Sequence, residues 1–241
     1  MRIVGIVAAM RVEARCITSL RLPFNGSTRL GESAAIWLCG MGEEAARGAA
    51  EGLRAGGATA LMSFGLAGAL DSRLRPGSLV LPESIYNTDH PLPVDLGWRG
   101  RLRHLLPAHL RIADGMLATS KHVLTSANAK RELFHATGAC AVDMESGAVA
   151  EVAARAGLPF LAVRVISDPA EFSPPSLLLN AVRPDGSADL ARLLPLLLRR
   201  SVTFGTLLRL AVDSRAACST LATVVRYAGM EMGIAPNNLR I

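Results

Sequence analysis

Residues 139–168 read ACAVDMESGAVAEVAARAGLPFLAVRVISD. An apolar run broken by Asp143 and Glu145 passes at Ser146 into an alanine-rich segment of helical composition, which reaches Ala156 and is ended by Gly157. Pro159 opens PFLAVRVIS, an apolar run interrupted by Arg164 alone, which is the pattern of a strand buried on both faces. The run stops at Asp168. A helix followed by a doubly buried strand belongs to the α/β class, and open α/β sheets form their ligand crevice beyond the carboxyl ends of the strands. Asp143, Glu145 and Asp168 stand at such positions and are the first candidates for chemistry.

Outward from this stretch the same grammar repeats. Residues 2–9 read as a first buried strand, followed by a charged turn with Arg11, Glu13 and Arg15 at the ligand end of the sheet. A solvated helix start explains that cluster equally well. Ala34 to Leu38 is a second apolar run, ending in CGMG before Glu43, Glu44 and an alanine-rich helix to about Ala55. ATALMSFGLAGAL (Ala58 to Leu70) is a third strand, whose Gly65 and Gly68 either shape a loop around a sugar or anion or allow close strand packing. Gly77 to Ile85 reads as a further strand, 86–110 as loop, and Arg111 to His122 as a strand leading into a polar loop. Ser126 to Ala136 fits a helix stopped by Gly138. His90, His104 and His109 lack partner spacing and read as surface residues, whereas His122 falls at a strand end.

Composition bounds the alternatives. With 241 residues, half of them hydrophobic, the chain can bury the core of one α/β domain, expected at 1–186, with a helical, basic, leucine-rich extension at 187–241. Cys16, Cys39, Cys140 and Cys218 show no metal-ligand or CxxC spacing and read as reduced thiols of a cytosolic protein. The opening MRIVGIVAAM is too short to span a membrane and lacks a cleavage pattern. Of the net charge of +6, the segment 187–241 holds +4, from seven arginines against three acids. Nucleic acid is a poor explanation of that excess, because aromatic residues make up 4% and no base-reading motif accompanies the arginines. The leucine clusters and interspersed arginines of the extension suit either packing on the core or a partner, or contact with a membrane surface.

Four blocks now resemble the purine nucleoside phosphorylase and methylthioadenosine/S-adenosylhomocysteine nucleosidase superfamily. AAMRVE is similar to the nucleosidases' GAMEEE, CGMG to SGIG, SFGLAGAL to NTGSAGGL, and AVDMESGAVA with VRVISDPAE to AVEMEATAIA with VRAISDVAD. The blocks cover roughly residues 2–170 in the family's order, and the last pair is the specific one. The resemblance implies a three-layer α/β/α, phosphorylase/hydrolase-like fold around a central mixed sheet, and a homodimer; nothing in the sequence demands a metal or an organic cofactor.

It also implies roles. Asp168 would be the general acid to purine N7, since adenine leaves badly as an anion while the ribosyl group becomes oxocarbenium-like. Glu145 would take the ribose hydroxyls, Met144 would pack on the sugar, and Asp143, Gly65, Leu66 and Ala67 would join the substrate site. His122 aligns with an aromatic that stacks on the base, and Glu13 with the glutamate that activates water. Two departures stand out: Arg11 and Val12 replace consecutive acids, and Leu66 replaces a serine. Arg11, Arg15 and Arg47 leave phosphate open as a co-substrate, so the nucleophile is water or phosphate.

With its arginine-rich AAMRVEARC opening, its SFGLAGALDSRLRPGSLVLP block and a long C-terminal extension, the chain most resembles, within the superfamily, the hopanoid-associated phosphorylases, or adenosylhopane nucleosidases. That branch implies adenine release from a lipid-linked nucleoside by a cytoplasmic protein peripheral at the inner membrane surface. The alternatives are a nucleosidase or phosphorylase for small nucleosides such as methylthioadenosine, and a non-catalytic nucleoside- or lipid-binding module.

Overall fold

The computed structural model describes residues 2–87, 90–173, 175–181, 183–187, 189, 191–192, 195–196 and 202–234. Among them an eleven-stranded mixed sheet is covered by helices on both faces, the three-layer α/β/α arrangement expected. Its hub is β4 (Ala60–Ala69). One edge of β4 pairs in parallel with β1 (Val4–Ala8) and, further along, antiparallel with β10 (Ala141–Asp143), while β11 (Phe160–Asp168) lies parallel along it. The carboxyl ends of β1, β4 and β11 therefore open in one direction.

Each central strand feeds two cores, because side chains alternate across a sheet. In β1, Val4, Ile6 and Ala8 face one apolar cluster, while Val7, with Ala9 just beyond the strand, faces the other. In β11, Leu161, Val163 and Val165 enter the first cluster and Phe160, Ala162 and Ile166 the second. The second is closed by α2 (Glu43–Ala55) and α5 (Ser146–Ala156) through Ala46, Ala49, Ala50, Val149 and Val152. The first is closed by α1 (Arg11–Ile17), α3 (Leu96–Leu105) and, beyond the short α6 (Ser176–Leu179), the long C-terminal helix α7 (Phe204–Ala228).

Helix α7 bears on the expected extension from residue 187. Its second half places Ala217, Leu221, Val224 and Ala228 in the same core as β1, whereas Phe204, Leu208 and Val212, on its first half, are exposed. Arg199, Arg200 and Arg240, part of the basic character read there, lie outside the described residues.

Several expectations are corrected. The segment 77–85 forms two strands, β5 (Leu79–Val80) and β6 (Ser84–Asn87), because Pro82 and Glu83 separate them. The 86–110 region contains β7 (His90–Pro93) and α3 rather than loop alone. Asp95 caps α3 by accepting the Trp98 N–H, and Trp98, fully buried, donates to Met232 O at 2.7 Å. The polar hairpin strand β2 (Gly26–Leu30), paired antiparallel with β3 (Ala34–Leu38), carried no apolar signal. Of 111–122, β8 (Ile112–Ala113) and β9 (Met116–Thr119) are strand. Helix α4 (Ala127–Thr137) is capped by Ser126 and stopped by Gly138 in the left-handed conformation.

Candidate active site

A cavity of about 220 Å³ opens at the carboxyl ends of the central strands, and Glu13, Glu145 and Asp168 all line it. Three local devices bring them there. Glu13 stands one turn into α1 and folds back, so that Oε2 accepts the N–H of Ala9 at 3.0 Å and of Met10 at 2.8 Å. Its Oε1 accepts the Leu66 N–H at 2.8 Å. With two donors on Oε2 and one on Oε1, the remaining acceptor capacity lies on Oε1.

Asp143 ends β10 and holds the start of α5, accepting from Ser146 N and from Thr119 Oγ1 at 2.9 Å. The side chain is fully buried and forms an ion pair with Arg164 Nε at 2.7 Å. Although Asp143 borders the cavity, its carboxylate is committed to the helix start and to Arg164. Glu145, next along, accepts the Gly42 N–H at 2.9 Å, which joins the CGMG turn to this site.

Arg164 holds this end together. Its side chain is 1% exposed, donates to Ser63 Oγ at 2.6 Å, and stands 3.6 Å from Glu145 Oε2. Desolvation would lower its pKa, but Asp143, Glu145 and Glu13 together raise it, so the guanidinium stays charged. The carboxylates feel the opposite balance. Burial pushes Glu145 up to about 7, opposed by Arg164 and reinforced by Asp143 and Glu13. Burial likewise raises Glu13, against Arg164 and three backbone N–H groups. Desolvation wins in both cases because one cation serves three buried acids.

Asp168 is aimed differently. The β4–β11 register pairs Ile166 with Ala67 and then Asp168 with Gly68, skipping Ser167, and this bulge re-aims the carboxylate. Oδ1 accepts the Ser167 hydroxyl at 2.8 Å, and Oδ2 is held by Lys130 Nζ. Lys130 also donates to Pro169 O at 2.9 Å and Phe172 O at 2.8 Å. A Cβ on Gly68 would stand 3.0 Å from Asp168 Oδ2, so glycine makes room for the acid.

Leu66 and Ala67 line the cavity with Met144 and the exposed His122. Gly65 serves a different purpose from the expected ligand cradle: a Cβ there would come within 3.0 Å of Glu13 Oε1 and Arg164 Nη1, so its bareness lets those two groups meet. Nor does the fold bring the candidate phosphate arginines here. Arg11 and Arg15 border a separate cavity, where Arg11 Nε pairs with Asp185 at 2.5 Å. Arg47 is engaged by Glu43 at 2.8 Å and by Glu151 at 2.6 Å, bridging α2 to α5 away from the cavity lining.

Sequence reasoning missed the roles of Arg164 and Lys130. Each carried a signal: a lone charge inside a doubly buried strand has to be paired there, and Lys130 is one of only two lysines in a chain whose other basic residues are arginine. Among the described residues, no group of three His, Cys, Asp or Glu side chains has metal-holding geometry, and no helix is long and apolar enough to cross a membrane.

Comparison with known proteins bears on the family and the fold. The family model described as "Phosphorylase superfamily" matches residues 27–199. The 5′-methylthioadenosine/S-adenosylhomocysteine nucleosidases of Mycobacterium bovis and Mycobacterium tuberculosis are each 26% identical over 152 residues, covering 46% of this chain. The chain spans 60% of the length of these relatives. Futalosine hydrolase of Helicobacter pylori superposes with a TM-score of 0.67 at 18% identity, over 93% of this chain and 97% of that one. The 5′-methylthioadenosine/S-adenosylhomocysteine nucleosidase of Helicobacter pylori, solved with butyl-thio-DADMe-Immucillin-A, gives 0.67 at 18%, over 94% and 98%. At these identities the superpositions establish the common fold.

Proposed function

The chain belongs to the phosphorylase superfamily, and from that premise we propose that it is a purine nucleosidase, cleaving the N-glycosidic bond of an adenosine-type nucleoside with water. The observation that carries this reading is one cavity bordered by Glu13, Glu145 and Asp168, whose lining lysine, Lys130, is already engaged by Asp168, while Arg164, buried behind the lining, is engaged by Asp143. A phosphate nucleophile would find no uncommitted arginine or lysine among the described lining residues.

Asp168, which takes up a proton from solvent before the step, gives it to N7 of the base, so that the C1′–N9 electron pair leaves on a neutral purine and the carboxylate left behind is paired with Lys130. Glu145 accepts from the ribose hydroxyls, and its negative charge favours the oxocarbenium-like sugar. Glu13 offers its free Oε1 position to a water, takes that water's proton as the oxygen bonds to C1′, and is suited to this by burial that raises its affinity for a proton. Leu66, Met144 and Met41 supply apolar walls that limit other water.

The 5′ substituent divides the reading. The family resemblance favours a large apolar group, as in adenosylhopane, and the exposed Phe204, Leu208 and Val212, four residues apart on α7, support contact with a lipid surface. The names of the relatives favour methylthioadenosine. Pairing into a homodimer belongs to the same proposal and rests on the resemblance.

The test is chromatographic measurement of adenine release from adenosylhopane in detergent and from methylthioadenosine, with and without phosphate. Phosphate-independent release is expected, falling at least about 100-fold in Asp168→Asn with folding intact. Release that requires phosphate would overturn the water assignment, and near-normal release by Asp168→Asn would overturn the general acid.

A further inference from the structure

Helix α4 buries one residue, and that residue is a cation: Lys130 is 1% exposed. Its ammonium meets three acceptors, namely Asp168 Oδ2 and the carbonyl oxygens of Pro169 and Phe172. A neutral amine has two N–H bonds and cannot satisfy three acceptors, so the geometry is that of a charged ammonium held in a tripod. Burying such a charge is unfavourable unless it is paired and hydrogen-bonded, so α4 carries it only with all three acceptors in place. The lysine stem also lies against Gly68, whose missing Cβ would stand 3.5 Å from Lys130 Cε. The planar fork of an arginine, the basic residue this chain otherwise prefers, does not reproduce a three-fold tripod at a single nitrogen.

We propose that Lys130 is the positioning residue for Asp168, setting the orientation of its carboxyl group and acting as counter-ion to the carboxylate that it becomes. This inference rests on the nucleosidase reading and extends it. In the step concerned, the Asp168 O–H bond breaks, the N7–H bond forms, and the electron pair left on the carboxyl group develops beside an ammonium already in place. No atom of Lys130 is transferred. The other oxygen, Oδ1, is fixed by the Ser167 hydroxyl, so the two donors together leave the carboxyl group one orientation toward the cavity. The tripod also ties the segment after β11 to α4, because Pro169 and Phe172 follow the acid in sequence.

A role confined to the leaving base has a signature that a merely structural role lacks. A ribosyl group attached to 4-nitrophenolate departs as a stable anion and needs no proton, whereas adenine does. The experiment compares wild type, Lys130→Met, Asp168→Asn and the double variant on methylthioadenosine and on 4-nitrophenyl β-D-ribofuranoside, recording kcat and KM for each. Lys130→Met is expected to lose roughly 100-fold in kcat on the purine nucleoside with KM changed by less than about three-fold. It should keep 4-nitrophenolate release within about three-fold, and the double variant should be no slower than Asp168→Asn.

The double variant leaves no unpaired buried charge and keeps the test decisive if Lys130→Met alone does not fold. Equal losses on both substrates, unaltered purine turnover in Lys130→Met, or a further loss in the double variant would each overturn the positioning role. Wild-type protein that releases neither leaving group would overturn the nucleosidase reading and this proposal with it. Purine turnover unchanged in Asp168→Asn would do the same through the general acid.

Discussion

Replacing Arg164 with methionine removes the one guanidinium on which three buried acids depend, and the size of the effect follows from the geometry. Methionine approximates the volume of the arginine stem, so the loss is electrostatic rather than a cavity. Asp143 at 2.7 Å and Glu145 at 3.6 Å lose their partner in a region closed to water, and Glu13 loses its nearest positive charge. Removing one member of a buried ion pair costs about 3–5 kcal/mol. For a chain of this length that lowers Tm by roughly 6–20 °C at pH 8.

The loss depends on pH with a definite sign. Glu145 already titrates at about 7 with Arg164 present, above its ordinary 4.5, and Glu13 is also raised. Without the guanidinium both hold their protons still more tightly in the fold, so the variant is favoured at low pH and loses stability as pH rises. Urea unfolding of wild type and variant at pH 5.5 and pH 8 measures this. The destabilisation at pH 5.5 should be at most about half that at pH 8. A Tm change below about 2 °C at pH 8, or one of equal size at both pH values, would refute the assignment of Arg164 as the charge that holds the site.

Gly65→Ala should destabilise by about 1–3 kcal/mol and lower base release at least ten-fold, because its Cβ would force Glu13 off the Leu66 N–H; thermal unfolding and a turnover assay check both parts, and full activity would refute them. Glu145, raised by burial to about 7, contributes stability that is fully present below pH 4.5 and lost as pH rises through 7, by ~3 kcal/mol in all. Glu145→Gln should abolish that slope in pH-dependent unfolding and also remove an acid limb near pH 7 from kcat/KM, since the ionised form accepts from ribose. A slope unchanged in the variant would assign the dependence elsewhere.

The central strands and the helix between β10 and β11 were legible because their patterns are long and unambiguous. Ser146 to Ala156 and the end of β11 at Asp168 are found as read. Short polar elements were not: GSTRL in β2 takes its conformation from pairing with β3, not from its own composition. The acids of the cavity could be identified from their places at strand ends, but not their partners. The Arg164 interactions connect β11 with β10 and the start of α5, and Glu13 reaches β4 across 53 positions of sequence. Alternation also cannot reveal a bulge, and the skipped Ser167 is what aims Asp168 at Lys130. The arginines misled in the opposite way. Arg47 has the residue type a phosphate would want, yet Glu43 one turn before it on α2 and Glu151 on α5 engage it first.

The same charge balance that raises Glu13 and Glu145 also bears on the nucleophile. The cavity is bordered by Glu13, Asp143, Glu145 and Asp168, and their two buried counter-ions are Arg164 and Lys130. An anionic nucleophile placed roughly 5 Å from one uncompensated carboxylate would be opposed by ~3 kcal/mol per unit charge at an effective dielectric of about 20. A phosphate dianion doubles that figure, whereas a neutral water meets no such opposition and gains a base in Glu13. The developing oxocarbenium ion has the opposite sign and is favoured by the same field. Excess negative charge thus selects against one nucleophile and for one transition state, and Leu66, which lines the cavity, offers an incoming phosphate no side-chain donor. Adding arginine at position 66 tests this directly: it should make base release responsive to phosphate, and a variant that binds phosphate while release stays independent of it would separate the charge argument from the choice of nucleophile.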